Sequence, residues 1–240
     1  MTALPSLVPL PDGAGFVSVP AERFRPIVGD EALKDWPAFA SSWNDLELDR
    51  YMADGGRFRT RRFASFVASR GEINREPHGP HFQSLNYNAL NGGIDRWFAP
   101  VTEATAAHPL TSRLIRLCLD AFTTARGAVR AETPWKIEMH QFRIEPGRAT
   151  PGMPTPEGMH RDGVEWVFVA LIARVNVEGG ITTVGDETGR PLGVFTLAEP
   201  LDAVLLDDSR VRHGVTPIHV LKPGEKAFRD VLVLTFRSAP

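Results

Sequence analysis

EWVFVALIARVNVEG (165–179), ITTVGD (181–186), GVFTL (193–197), DAVLLDD (202–208), VRHGVTPI (211–218) and RDVLVLTFR (229–237) are runs rich in Val, Ile, Leu, Phe and Thr, each bounded by turn residues. KIEMHQFRI (136–144) precedes them in the same style. The punctuation is explicit, with Gly179-Gly180, Glu187-Thr188-Gly189-Arg190-Pro191 and Lys222-Pro223-Gly224-Glu225 supplying turn chemistry. Strands that recur at this spacing mark a sandwich or barrel and predict an all-β core over residues 136–240, read as a double-sheet jelly roll. The strand carrying His213 and the strand 229–237, joined through the 222–225 turn, are expected to run antiparallel as neighbours.

Upstream, residues 1–135 read as a mixed helical and strand cover for that core. The spacing in RFRTRRFASFVAS (57–69) predicts a helix with Phe63, Phe66 and Val67 on one face. A second helix is expected over 109–126, with Leu110, Leu114, Leu117, Cys118 and Phe122 on its apolar side. Pro109 suits its first turn and Gly127 its stop. With 42% hydrophobic and 23% charged residues there is material for one substantial core, so residues 1–240 are expected to form one domain whose flanking α-helices cover one sheet.

Charge narrows the class of partner. Lys and Arg number 27 against 29 Asp and Glu, a net charge of -2, which gives no overall attraction to nucleic acid or to an anionic membrane. A small molecule is the expected partner. Cys118 is the only cysteine, so no intramolecular disulfide is possible, and its apolar setting reads as packing. No run approaches the roughly 20 apolar residues that span a bilayer, and MTALPSLVPLPDGAGF at the start lacks a basic segment followed by a long apolar one. A cytoplasmic location is the expectation.

The chemistry concentrates around His160-Arg161-Asp162. In extended backbone, alternation turns His160 and Asp162 to one side and Arg161 to the other. Fifty-one residues after Asp162, His213 lies in another β-type run. Two imidazoles and one carboxylate form the facial triad of non-haem iron(II), which leaves three coordination positions open. Blander readings exist: a lone histidine in a β protein is more often a hydrogen-bonded rim residue, and Asp162 before Gly163 suits a turn. His140, on a predicted strand before the pair, is the rival third ligand. The Pro/Gly-rich PGMPTPEGM (151–159) is expected to border the site.

In RDVLVLTFR, Arg229, Val231, Val233, Thr235 and Arg237 share one face. An arginine pointing into an apolar barrel is costly unless an anion meets it, and the distal carboxylate of 2-oxoglutarate is such an anion. Arg229 and Arg237 are the candidates, Arg229 being preferred; the alternative is a strand-end residue and a solvated tail. Asp207 and Asp208 are read as a turn that positions the His213 strand in preference to an acid/base pair. No phosphate loop, Cys/His zinc pattern or G-x-S-x-G elbow is present.

These segments resemble a known family. PEGMHRDG (156–163), Arg174 and Asn176 ahead of Gly179-Gly180, LDDSRVRHGVTPI (206–218) and FRDVLVLTF (228–236) are similar to the bacterial 2-oxoglutarate/Fe(II) dioxygenases that include L-isoleucine dioxygenase and related free amino-acid hydroxylases. The likeness covers about residues 136–238, and FQSLNYNALNGGIDRWFAP (82–100) looks like the family's N-terminal portion. It implies a double-stranded β-helix, Fe(II) on His160, Asp162 and His213, and 2-oxoglutarate on the iron. The implied reaction hydroxylates an unactivated C–H bond with O2 and releases succinate and CO2.

If the substrate is a zwitterionic L-amino acid, its carboxylate wants an arginine, for which Arg143 and Arg96 are candidates. Gln83, Asn86 and Asn88 can add hydrogen bonds, and Trp166 and Phe168 can line an apolar pocket. Competing expectations are the same chemistry on a peptide, protein or other metabolite, and a metal-binding cupin without oxygenase activity.

Overall fold

The computed structural model describes residues 15–52, 55–69, 71–88, 90–126 and 133–239. Thirteen strands are described: β1 (Phe16–Val19), β2 (Glu47–Leu48), β3 (Arg59–Ser69), β4 (Glu72–Arg75), β5 (Trp135–Ile144), β6 (Trp166–Val175), β7 (Val177–Gly179), β8 (Ile181–Gly185), β9 (Pro191–Thr196), β10 (Ala203–Asp207), β11 (Arg212–Val215), β12 (Ile218–Val220) and β13 (Phe228–Ser238). Among the helices are α1 (Ala21–Val28), α2 (Asp30–Leu33), α3 (Trp36–Ser41), α4 (Glu103–Ala106) and α5 (Pro109–Arg126).

Eight strands form one antiparallel sheet in the order β1-β10-β6-β13-β5-β3-β2, with β4 on β3. A smaller sheet, β11-β8-β9, and the β12-β7 pair face it. Two sheets closed over one another make the expected jelly roll. The N-terminal strands β1 to β4 are part of the large sheet, so the first part of the chain extends the core as well as covering it.

Period-two alternation sorts the large sheet into two faces. Leu232, Leu234 and Phe236 of β13, Ile137 and Met139 of β5, and Phe168 and Ala170 of β6 pack outward against Phe24, Phe39, Leu110, Leu114, Ile115, Cys118 and Phe122 of the helices. Each large apolar side chain buried this way contributes about 1.5–3 kcal/mol. Val231, Val233, Val167, Val169, Val204 and Leu206 point the other way, toward Val184 and Phe195 of the smaller sheet and Leu197 just after β9. That inner space holds the site.

α5 begins at Pro109 and buries the five residues expected of it, while Gly127 lies outside the described residues. Two expectations are corrected. Residues 57–69 hold a strand, β3, because Ala64, Phe66 and Ala68 are buried against the helices while Arg59, Arg61 and Phe63 are buried on the inner side. A strand covered on both faces loses the apolar/polar alternation, and its chance helical spacing misleads. Strand β11 pairs with β8, whereas β13 pairs with β5 and β6, so the His213 strand and the 229–237 strand lie in different sheets.

Candidate metal centre and its cavity

An isolated antiparallel bridge joins His160 to His213, whose backbones exchange hydrogen bonds of 3.0 and 2.9 Å. His213 stands on β11 opposite Val184, and the two imidazole centroids are 4.5 Å apart. Asp162 completes the cluster, with Oδ1 3.6 Å from His160 Nε2 and Oδ2 3.6 Å from His213 Nε2. Arg161 turns away and pairs with Glu187.

Neighbouring groups hold these side chains in place. His160 Nδ1 lies 3.1 Å from the Gly158 carbonyl, which can only accept, so in the neutral ring Nδ1 carries the proton and Nε2 is the nitrogen left able to bind a metal. Asp208 accepts the backbone N–H groups of Asp162, Gly163 and Val164 at 3.0, 2.8 and 3.1 Å, so it clamps the H-x-D turn as well as starting the turn after β10. At Gly163, with φ 81°, a Cβ would come within 2.5 Å of the Tyr87 ring. Burial and the nearby Asp162 carboxylate raise the Asp208 carboxyl to about 6. Replacing Asp208 by Ala strands three N–H groups beside the candidate metal ligands; a loss of roughly 2–4 kcal/mol in stability is expected. Iron affinity should fall with it, and thermal melts and metal titration of the variant check both.

In the metal-free chain the three groups set one another's protonation. Burial pushes the Asp162 carboxyl up, but the His160 hydrogen bond and the His213 ring outweigh it and hold it at about 2. His160 is raised to about 9 because Asp162 overcomes its burial, and burial together with His160 lowers His213 to about 4. Two imidazole nitrogens and a carboxylate, all within 4.8 Å of one another, are the donor set that suits Fe(II).

His81, Glu138 and His140 form a second group of the same composition. Its hydrogen bonds argue against a metal. Arg61 Nη2 lies 2.6 Å from His140 Nδ1 and Arg96 Nη2 lies 2.9 Å from His81 Nδ1. Guanidinium only donates, so both Nδ1 atoms accept and each neutral ring carries its proton on Nε2, aimed at Glu138 at 3.9 and 3.4 Å. Burial and then Arg61 keep His140 well below the usual histidine range, hence neutral. The rival third ligand is thus tied into another corner of the cavity.

Both groups open into one cavity of about 150 Å³. At roughly 10–15 Å³ per water it has room for on the order of ten waters, enough for small molecules and too little for a folded chain. Val164, Val169, Val204, Leu206, Val231 and Val233 supply apolar wall. Pro154, Thr155 and Glu157 of the Pro/Gly loop border it, as expected.

Arg229 lines this cavity at 3% exposure, and its Nε has no partner among the described residues. Burial, and then Arg174, lower its pKa to about 10, which still leaves it charged. A buried cation without an adjacent carboxylate calls for an anionic ligand. Arg143 has such a carboxylate: Asp230 accepts from its Nε and Nη2 at 2.7 and 2.8 Å, and it lies outside the cavity lining. Arg143 is therefore removed from the substrate candidates. Arg237 is half-exposed at the sheet's far end, 3.9 Å from Glu138, and lies outside the lining. Trp166 stacks on Phe122 with centroids 4.9 Å apart and Phe168 packs on Phe24, so both belong to the helix side of the sheet. Gln83, Asn88 and Arg96 do line the cavity, while Asn86 is exposed.

Arg61, His81, Glu138, Glu157 and Thr182 also line it, and none was singled out from sequence as a site residue. For Glu138 a signal was present: it shares the parity of His140 on β5, whereas Arg143 has the opposite parity.

Comparison with known proteins adds independent findings. A family model described as 2OG-Fe dioxygenase matches residues 40–235. The L-isoleucine-4-hydroxylase of Bacillus thuringiensis is 28% identical over 196 residues, covering 80% of this chain and 78% of that relative. The 3(1)-hydroxy-L-isoleucine 4-dioxygenase of Pantoea ananatis is 24% identical, covering 93% and 92%. Among solved structures, a bsmA homolog from Methylobium petroleophilum superposes with a TM-score of 0.85 at 34% identity, covering 99% of this chain and 98% of that one.

Proposed function

Because the chain belongs to the 2OG-Fe dioxygenase family, and so is an enzyme that works with Fe(II), 2-oxoglutarate and O2, we propose that it hydroxylates an unactivated C–H bond of a small aliphatic L-amino acid or close analogue. The observation that carries this reading is the shared cavity. A two-histidine, one-carboxylate cluster and an uncompensated buried arginine open into one small, half-apolar space. The names of the two isoleucine-acting relatives point the same way.

In this reading His160, Asp162 and His213 hold the iron. Bound there, Fe(II) together with 2-oxoglutarate and O2 supplies the oxidising power that converts C–H to C–OH, with succinate and CO2 released. The protein's part is placement. Arg229 grips the distal carboxylate of 2-oxoglutarate and so orients that molecule along the cavity. Asp208 and the Gly158 carbonyl keep Asp162 and His160 aimed. The valine and leucine wall excludes water and bounds the aliphatic part of the substrate.

The test is a panel of free amino acids, N-blocked amides, short peptides and other metabolites, scored by succinate formation together with a 16-mass-unit gain in product. Aliphatic L-amino acids are expected to stimulate 2-oxoglutarate consumption at least about tenfold more than their D-forms or amides, the loss of one charge-assisted contact being worth that much. A panel in which only peptides or non-amino-acid metabolites respond overturns the substrate class.

A further inference from the structure

The part of the cavity lining that β3 contributes carries charge that its own hydrogen bonds leave partly unused. Arg61 is 4% exposed, and its guanidinium carbon lies 3.6 Å from the Phe98 ring centroid and 4.3 Å from that of Phe142. This sandwich fixes the plane of the group. One edge is committed, with Nη2 on His140 and Nη1 3.6 Å from Asp49, while Nε has no partner among the described residues. Arg96, at 2% exposure, sits 5.6 Å from the same Phe98 ring. Its Nη2 donates to His81 and Gln83, and its Nε is likewise unpartnered. Asp49 is already taken by Arg59 at 2.7 Å, and Glu138 by the two histidines.

The spare capacity is not all of one sign. Glu157 lines the same cavity; its Oε1 lies 3.6 Å from His160 Nδ1, and its Oε2 is buried without a partner among the described residues. Arg59, Arg61 and Arg96 are matched in number by Asp49 behind the lining and by Glu138 and Glu157 within it. Among the described residues, two guanidinium N–H donors and one carboxylate oxygen of this set are nevertheless left unfilled. A simple anion satisfies the first and leaves the second; a cation does the reverse. A molecule carrying both charges a few ångströms apart satisfies both.

We propose that Arg61 and Arg96 together form the subsite for the substrate's α-carboxylate, that Glu157 receives its α-ammonium group, and that this pairing selects a zwitterion. The proposal rests on the amino-acid reading above and assigns it residues. Arg61 lies on β3, two strands from β13 across β5, so its role is separable from that of Arg229 toward 2-oxoglutarate. Phe98 and Phe142 act as positioning residues, setting the guanidinium plane.

The experiment titrates the Fe(II)- and 2-oxoglutarate-loaded enzyme, kept free of oxygen, with three probes. These are L-isoleucine, L-isoleucinol, which lacks the carboxylate, and 2-hydroxy-3-methylpentanoic acid, which lacks the ammonium. The unmodified protein is expected to bind L-isoleucine at least about tenfold more tightly than either analogue. Arg61→Gln or Arg96→Gln should weaken L-isoleucine and the hydroxy acid by about tenfold or more and leave isoleucinol nearly unchanged. Glu157→Gln should weaken L-isoleucine and isoleucinol and spare the hydroxy acid. This non-additivity between ligand and protein deletions is the signature of direct contact, which general destabilisation does not produce. The 2-oxoglutarate requirement should stay within about twofold in all three variants, since they leave its anchor in place. The analogue comparison on unmodified protein remains decisive if a variant folds poorly: equal binding of all three probes overturns the proposal. So does an Arg61→Gln protein that binds L-isoleucine normally or that instead raises the 2-oxoglutarate requirement. If no amino acid stimulates turnover of the unmodified enzyme, the amino-acid reading itself falls and takes this inference with it. Amino-acid stimulation with unaffected variants sinks only the subsite.

Discussion

Replacing His213 by alanine is expected to abolish iron binding and turnover while the protein still folds. His213 contributes one of three donor atoms that lie within 4.8 Å of one another, and its ring lies at the cavity, outside the helix-side core. Loss of a residue that merely orients a metal ligand typically weakens metal affinity about 10–100-fold, so loss of a ligand itself should exceed that. His160→Ala and Asp162→Ala should behave alike. His140→Ala is the control, because its Nδ1 is occupied by Arg61 and its Nε2 proton faces Glu138. That variant should retain iron. Metal content after reconstitution and a circular-dichroism melt of each variant separate loss of metal from loss of fold. A His213→Ala protein that binds iron normally, beside a His140→Ala protein that does not, would reverse the ligand assignment.

Arg229→Gln is expected to raise the 2-oxoglutarate requirement by roughly ten- to a hundred-fold or more, the equivalent of losing ~1.5–3 kcal/mol from a charge-assisted bidentate contact. The expectation follows from burial without compensation. Arg229 is 3% exposed, and the carboxylate next to it in sequence, Asp230, faces the other side of the sheet, where Arg143 holds it. Iron affinity should hardly change. Arg237→Gln should leave the requirement near its original value, because Arg237 is half-exposed and meets Glu138 only at 3.9 Å. Apparent 2-oxoglutarate constants for the two variants decide between them. A large rise in Arg237→Gln with a normal Arg229→Gln would exchange their roles, and no rise in either would remove the anchor from this strand.

Residues that act through local geometry were legible in the sequence. His160 and Asp162 are two apart in extended chain, so they must share a side; α5 shows its apolar stripe at helical spacing; and Arg229 has the parity of Val231 and Val233. Turn chemistry and strand spacing determined the jelly roll, since short runs closed by Gly and Pro can bury their apolar faces only by stacking sheets. Parity says which residues share a face but not what the face meets. Parity therefore marks Arg143 and Trp166 as strand residues but does not show that Arg143 meets Asp230 and Trp166 meets Phe122 on the helix side.

Only tertiary structure decided strand neighbours and the partners of buried charges. The sequence suggested that β11 and β13, joined by one turn, pair; the fold places them in separate sheets, with β12, which pairs with β7, between them along the chain. Arg61 was hidden by the same limit, since β3 is covered on both faces and carries no alternation to read. Its neighbours Asp49, Phe98 and His140 come from distant parts of the chain. The spare N–H of a buried guanidinium is the remainder after all its partners are counted, and those partners are assembled by long-range packing that one-dimensional spacing does not encode.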